Sequence, residues 1–207
     1  DMALTALDAH GDIQFAADAN VAVQDIVAYW RSRVDAGVEP LIVARSNAHI
    51  RQVAQSIRAD CRTHGELGED LVSFTGRAND RVFAMSLAVG DRIRFNVKQT
   101  DLEVVNGTTG SVTAIASAPD PMNTVVTALV GNRQVRFRLG DLADEKGRVG
   151  LSWSYASTIF SSQGLTVDET LVLADAGFDR SAAYVACSRA RNRTTLFVDR
   201  SSLQTLE

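Results

Sequence analysis

The chain has 207 residues, 45% of them hydrophobic and 22% charged, which is the composition of a folded globular protein rather than a disordered or fibrous one. No apolar run approaches the roughly 20 residues a membrane span requires, and Asp1-Met2-Ala3-Leu4 does not open a signal peptide. Two distant cysteines and three histidines, His10, His49 and His64, offer neither a disulfide framework nor a metal cluster, so no metal and a reducing, cytoplasmic setting are expected. The net charge of −4 argues on its face against a nucleic-acid partner, yet residues 77–148 alone sum to +2.

In chain order, Val23, Ile26, Val27 and Trp30 recur at helical spacing, predicting an amphipathic helix over 20–34 with Asn20 as its cap and Gly37 as its stop. Leu41-Ile42-Val43-Ala44 is a short apolar run between turn residues, the mark of a strand buried on both faces. Ser46-Asn47 then suits the cap of a second helix whose inner face carries Ile50, Val53 and Ile57. This alternation is an α/β rhythm. It gives way after about residue 80 to short β-type runs at 92–95, 110–115, 124–129 and 134–139. Their separators are turn-like: Asn106-Gly107, Pro119-Asp120-Pro121, Gly131-Asn132 and Gly140-Asp141. Meandering strands over some 65 residues predict a small barrel. The α/β rhythm returns near 150, with strands at 151–155, 170–174 and 194–198, a helical turn at 158–163 and a helix at 180–190.

Four stretches in this order resemble superfamily 1 DNA helicases, of the branch that includes RecD and the TraI/TrwC conjugative relaxases. Tyr155-Ala-Ser-Thr-Ile-Phe-Ser-Ser-Gln-Gly-Leu-Thr-Val167 is similar to their motif V, and Tyr184-Val-Ala-Cys-Ser-Arg-Ala190 to their motif VI. Val89 to Arg94 and Val105 to Val112 resemble the SH3-like insertion of that branch, and Leu41 to Asn47 the strand and turn that open its second motor domain. The fold so implied is α/β: a RecA-like parallel sheet with helices on both faces, split into 1–82 and 150–207, and interrupted at 83–149 by an SH3-like β-barrel.

The resemblance also implies roles. Arg189 is the arginine finger, a permanently charged planar cation that reaches the γ-phosphate of ATP and stabilises transition-state charge. As a plain surface arginine it would need no such role. Gln163 and Gly164 face the nucleotide, the glycine permitting close backbone approach. Thr158, Ser46, Asn47, Arg92, Arg94 and Asn106 face single-stranded DNA, with Lys98 nearby; helix capping serves Ser46 and Asn47 equally well, and Asn106 is first of all a hairpin-turn residue. Phe160 and Ser161 depart from the family, which has His and then Lys there.

A P-loop needs Gly-Lys before Ser or Thr. Lys98 and Lys146 are the only lysines and neither follows glycine. ATP with Mg is therefore expected only together with a first RecA-like domain that the parent protein supplies upstream, and no catalysis by this chain alone. Partners expected are single-stranded DNA, that amino-terminal domain and the conjugation machinery. The alternatives are a fragment of a RecD-like repair helicase, or a non-catalytic DNA- or protein-binding module derived from a helicase.

Overall fold

The computed structural model describes residues 12–159, 161–162, 166–178 and 180–203. Two compact units emerge, one running to Ile57 and resuming at Tyr155, the other formed by Arg58–Ser154.

The first unit is a five-stranded, wholly parallel sheet. Its strands are β1 (Ile13–Ala16), β2 (Leu41–Ala44), β10 (Ser157–Thr158), β11 (Val167–Ala174) and β12 (Ala190–Asp199), in the order β1-β12-β11-β2-β10. Parallel sheets persist where helices cover both faces, and the central strands show it. In β11 and β12 Leu171, Val172, Leu196 and Phe197 are all buried. Val172 and Leu196 pack with Ala186 of helix α3 (Arg180–Cys187), while the adjacent Phe197 meets Tyr29 of helix α1 (Ala19–Asp35) edge-to-face at 5.9 Å. Neighbours in a strand point to opposite faces, so α1 and α3 lie on opposite sides of the sheet.

Helix α1 ends as Gly37 predicts. Gly37 has φ +80°, its N–H reaches Val34 O, and Val38 N–H reaches Arg33 O, a Schellman closure. Its start differs from expectation. Asp18 is the cap, accepting from the N–H groups of Asn20 and Val21 at 2.8 and 3.0 Å. Asn20 is thereby released, and its side chain accepts from Gln52 instead. Arg33 then clamps α1 to β11 through a bidentate pair with Glu169, at 2.8 and 2.6 Å. The second helix, α2 (Asn47–Thr63), buries Val53, Ala54 and Ile57.

The second unit is antiparallel. A hairpin of β3 (Val72–Ala78) and β4 (Arg81–Leu87) is followed by a sheet of β5 (Arg92–Phe95), β6 (Thr109–Ala116), β7 (Val125–Val130), β8 (Arg133–Arg138) and β9 (Leu151–Trp153), in the order β8-β7-β6-β5-β9. Phe74, Met85 and Leu87 of the hairpin share one core with Ile93, Phe95, Val126, Phe137 and Leu151 of the sheet. The compact unit so formed runs from Arg58 to Ser154. It consists of a five-stranded sheet and a hairpin closed over common apolar residues.

A tight turn braces this unit after β8. Asp144 accepts from the Arg148 guanidinium at 2.7 Å and from the N–H groups of Lys146 and Arg148 at 3.0 Å. The Arg148 hydrogen bond is the main reason its carboxyl is held down at about 2. A depressed carboxylate stabilises the fold above its ordinary value near 4, and that contribution disappears as pH falls through the folded value. NMR should therefore show Asp144 titrating near 2, with amide protection of Lys146 and Arg148 fading over the same interval. Titration in the ordinary carboxylate range would contradict the geometry.

Candidate functional site

Arg189 lies in the turn between α3 and β12. The predicted helix over 180–190 stops at Cys187 because side chains take over its last carbonyls. Val185 O accepts from Ser188 Oγ at 2.9 Å and from Arg189 Nε at 3.0 Å, while Arg189 N–H turns to Ala186 O. Arg189 Nη2 also donates to Ser188 Oγ at 2.8 Å. The guanidinium is thus folded over the carboxyl end of a helix, where exposed carbonyls favour a cation. On the other side, Arg189 O accepts from Val167 N–H and ties the turn to the start of β11. Tyr184, one turn back on α3, is 76% exposed. The nearby arginines have other duties: Arg193 donates to Asp12 at 2.7 Å, a bond that raises its pKa, and exposed Arg191 stands 3.7 Å from Asp168.

Of the motif V residues, Gln163 and Gly164 lie outside the described residues. Thr158 ends β10 rather than starting a helix. Its hydroxyl accepts from Ser161 N–H at 3.0 Å and donates to Ser161 Oγ at 2.8 Å, and its carbonyl accepts from Ser162 N–H. Ser46 caps α2, its Oγ accepting from His49 N–H at 3.1 Å. Thr158 pairs with Ala44 in the parallel ladder. The register therefore brings Ser46, Asn47 and Thr158 together at the carboxyl ends of adjacent strands, beside the N–H-rich start of a helix. His49 is there too. Its ring is 19% exposed and stands 3.5 Å from Asp175, just past the end of β11. Only the strand order, with β11 beside β2, makes these two neighbours.

In the second unit Arg92 and Arg94 alternate with the buried Ile93 and Phe95 and so project from the opposite face of the sheet. Arg94 is cross-strand from Thr109 and Ser152. Burial pulls its guanidinium below the usual arginine value. Asn106 is exposed on a turn closed by Thr108 N–H to Val105 O, with Gly107 at φ +97°. A Cβ on Gly107 would lie 4.0 Å from Arg94 Nη2, so Arg94 and the Asn106 turn are neighbours.

Comparison with known proteins bears on the fold and on the family. No protein-family model matches the chain. Among solved structures, Bacteroides Pif1 bound to single-stranded DNA superposes with a TM-score of 0.54 at 22% identity, over 76% of this chain and 40% of that one. The Pif1 helicase of Candida albicans gives 0.54 at 18% identity, over 80% of this chain and 48% of that one. The α/β unit accordingly has the RecA-like fold of those structures. In sequence, the chain is 32% identical over 176 residues to the conjugal transfer protein TraA of Agrobacterium fabrum, covering 85% of this chain and 15% of TraA. It is 34% identical over 170 residues to a probable conjugal transfer protein TraA of Sinorhizobium fredii, covering 82% and 14%. The chain is a homologue of the TraA proteins and corresponds to about a seventh of their length.

Proposed function

We propose that this chain is the second motor half of an ATP-driven translocase for single-stranded DNA, acting in the cytoplasm within a conjugative transfer protein. ATP with its Mg sits on a companion RecA-like domain of the parent. This chain closes on it, Arg189 meets the γ-phosphate, and the polar strand ends around Ser46, Asn47 and Thr158 hold the DNA backbone. The division 1–82 with 150–207 around an SH3-like β-barrel at 83–149 belongs to the same reading. Gln163 and Gly164 complete the nucleotide side.

The observation that carries the reading is the anchoring of Arg189. Hydrogen bonds of both its side chain and its backbone fix a permanent cation at the junction of α3 and β12, within a motif VI sequence. Such preorganisation is what transition-state charge stabilisation requires. The similarity to TraA favours conjugative transfer over DNA repair. A non-catalytic DNA-binding module has one observation in its favour: the Thr158 hydroxyl is already engaged by Ser161. ATP hydrolysis separates the readings. The full-length parent should hydrolyse ATP faster when single-stranded DNA is added, and this chain alone should not hydrolyse it. A parent without DNA-stimulated hydrolysis would leave the binding module as the better account.

A further inference from the structure

The five strands β5 to β9 contain five arginines and no aspartate or glutamate, in a chain whose acidic residues outnumber its basic ones by 25 to 21. Every acid of this region lies in a turn or a short 3-10 helix between strands. The register decides where the arginines point. In β8 Val135 and Phe137 are buried, so Arg136 and Arg138 project outward, and both are exposed. Arg136 pairs with Thr127 of β7; Leu129, two residues along on the same face, pairs with Ser111 of β6, which is cross-strand from Arg92. Arg92, Arg94, Arg136 and Arg138 therefore stand on one face of one sheet, with Ser111 and Thr127 between them. Strands are spaced about 4.8 Å apart, so the two arginine pairs are separated by roughly 14 Å.

Surface pairing uses up little of the charge of Arg136 and Arg138. Arg138 is 3.4 Å from Asp141, with both side chains exposed, a geometry of small net value. Among the described residues Arg136 makes no ion pair. Arg133 is different: it binds the Leu102 carbonyl and pairs with Glu103 at 3.4 Å. Protecting edge strand β8 from unwanted pairing would require one charge. It does not explain the absence of acids across all five strands.

We propose that the outward face of β5 to β8 binds the sugar–phosphate backbone of single-stranded DNA, with Arg136 and Arg138 carrying the contact of Arg92 and Arg94 across to the edge strand. The proposal rests on the single-strand reading above and adds the surface. Guanidinium forks bind phosphate in two-pronged fashion, and the Ser111 and Thr127 hydroxyls can donate to phosphate oxygens. No aromatic side chain projects from this face in β5 to β8, so base stacking plays no part and binding is indifferent to sequence.

The test is binding of the full chain to a fluorescent single strand, and to a duplex of equal length, across a salt series. For single strands the slope of log affinity against log salt is about −0.7 per phosphate contact. Arg136→Ala with Arg138→Ala should flatten the slope by about 1.4 and weaken binding on the order of tenfold at low salt. Lysine at both positions should restore most of the slope. If alanine lowers the unfolding midpoint, the glutamine pair provides the same reading. Wild-type binding with an unchanged slope in the variants would overturn this surface and leave the single-strand reading standing. No salt-sensitive binding by the wild type would overturn both, and a duplex bound as tightly through the same residues would overturn the single-strand assignment.

Discussion

Arg189→Ala in the full-length parent should lower kcat for DNA-stimulated ATP hydrolysis by roughly a thousandfold, the lower end of what an arginine finger contributes. Affinity for single-stranded DNA should change little, because Arg189 lies at the amino-terminal edge of the parallel sheet, whereas Ser46, Asn47 and Thr158 lie at its carboxyl edge. Folding should survive, since the change removes side-chain hydrogen bonds to Val185 O and Ser188 Oγ, worth about 1 kcal/mol each. Arg189→Lys should not rescue the rate, because an ammonium lacks the planar fork that binds phosphate and the adjoining Ser188 Oγ together. Ser188→Ala should cost less than Arg189→Ala and more than nothing, by loosening the guanidinium. Steady-state hydrolysis at saturating ATP and DNA measures all three. An unchanged rate in Arg189→Ala would show that the motif VI match has outlived its chemistry.

Much of this arrangement could be read from the chain before any fold was known, and the exceptions have physical causes. Strands 41–44 and 92–95 match the expectation residue for residue, one as an apolar run, the other by strict alternation. The β3–β4 hairpin was not expected, although Val72, Phe74, Met85 and Leu87 are buried on one side. Its two-residue turn is Asn79-Asp80 with Asn79 at φ +53°, so it lacks the glycine that usually signals such a turn. Motif order alone pointed to Arg189, but not to the way Val185 O ends the helix and sets the arginine in a turn. Long-range neighbours were the least legible. Asp175 meets His49, and Arg136 shares a face with Arg92, only through strand order. Alternation says which residues share a side of one strand and is silent on which strand lies next.

Asp91→Ala should destabilise the chain by about 3–5 kcal/mol, the usual cost of removing one partner from a buried ion pair. Asp91 is fully buried and Arg58 nearly so, at 0% and 6% side-chain exposure. Asp91 Oδ1 accepts from Arg58 Nε at 2.7 Å; Oδ2 accepts from Arg58 Nη2 at 2.9 Å and from Ala88 N–H at 2.7 Å. The other side of the guanidinium lies over the Trp153 ring, 4.6 Å from its centre. Desolvation works against this charge, but the Asp91 and Asp70 bonds outweigh it and leave the arginine pKa raised. Alanine at 91 strands a desolvated cation with only half-exposed Asp70 as its remaining carboxylate, and orphans the Ala88 N–H. Asp70→Ala, removing the 36%-exposed carboxylate, should cost about 1 kcal/mol or less. Replacing Arg58 and Asp91 together by apolar residues should be milder than Asp91→Ala alone, since no unpaired charge remains in the interior. Denaturant unfolding of the four proteins orders them. If Asp91→Ala costs no more than Asp70→Ala, the ion pair contributes orientation rather than stability.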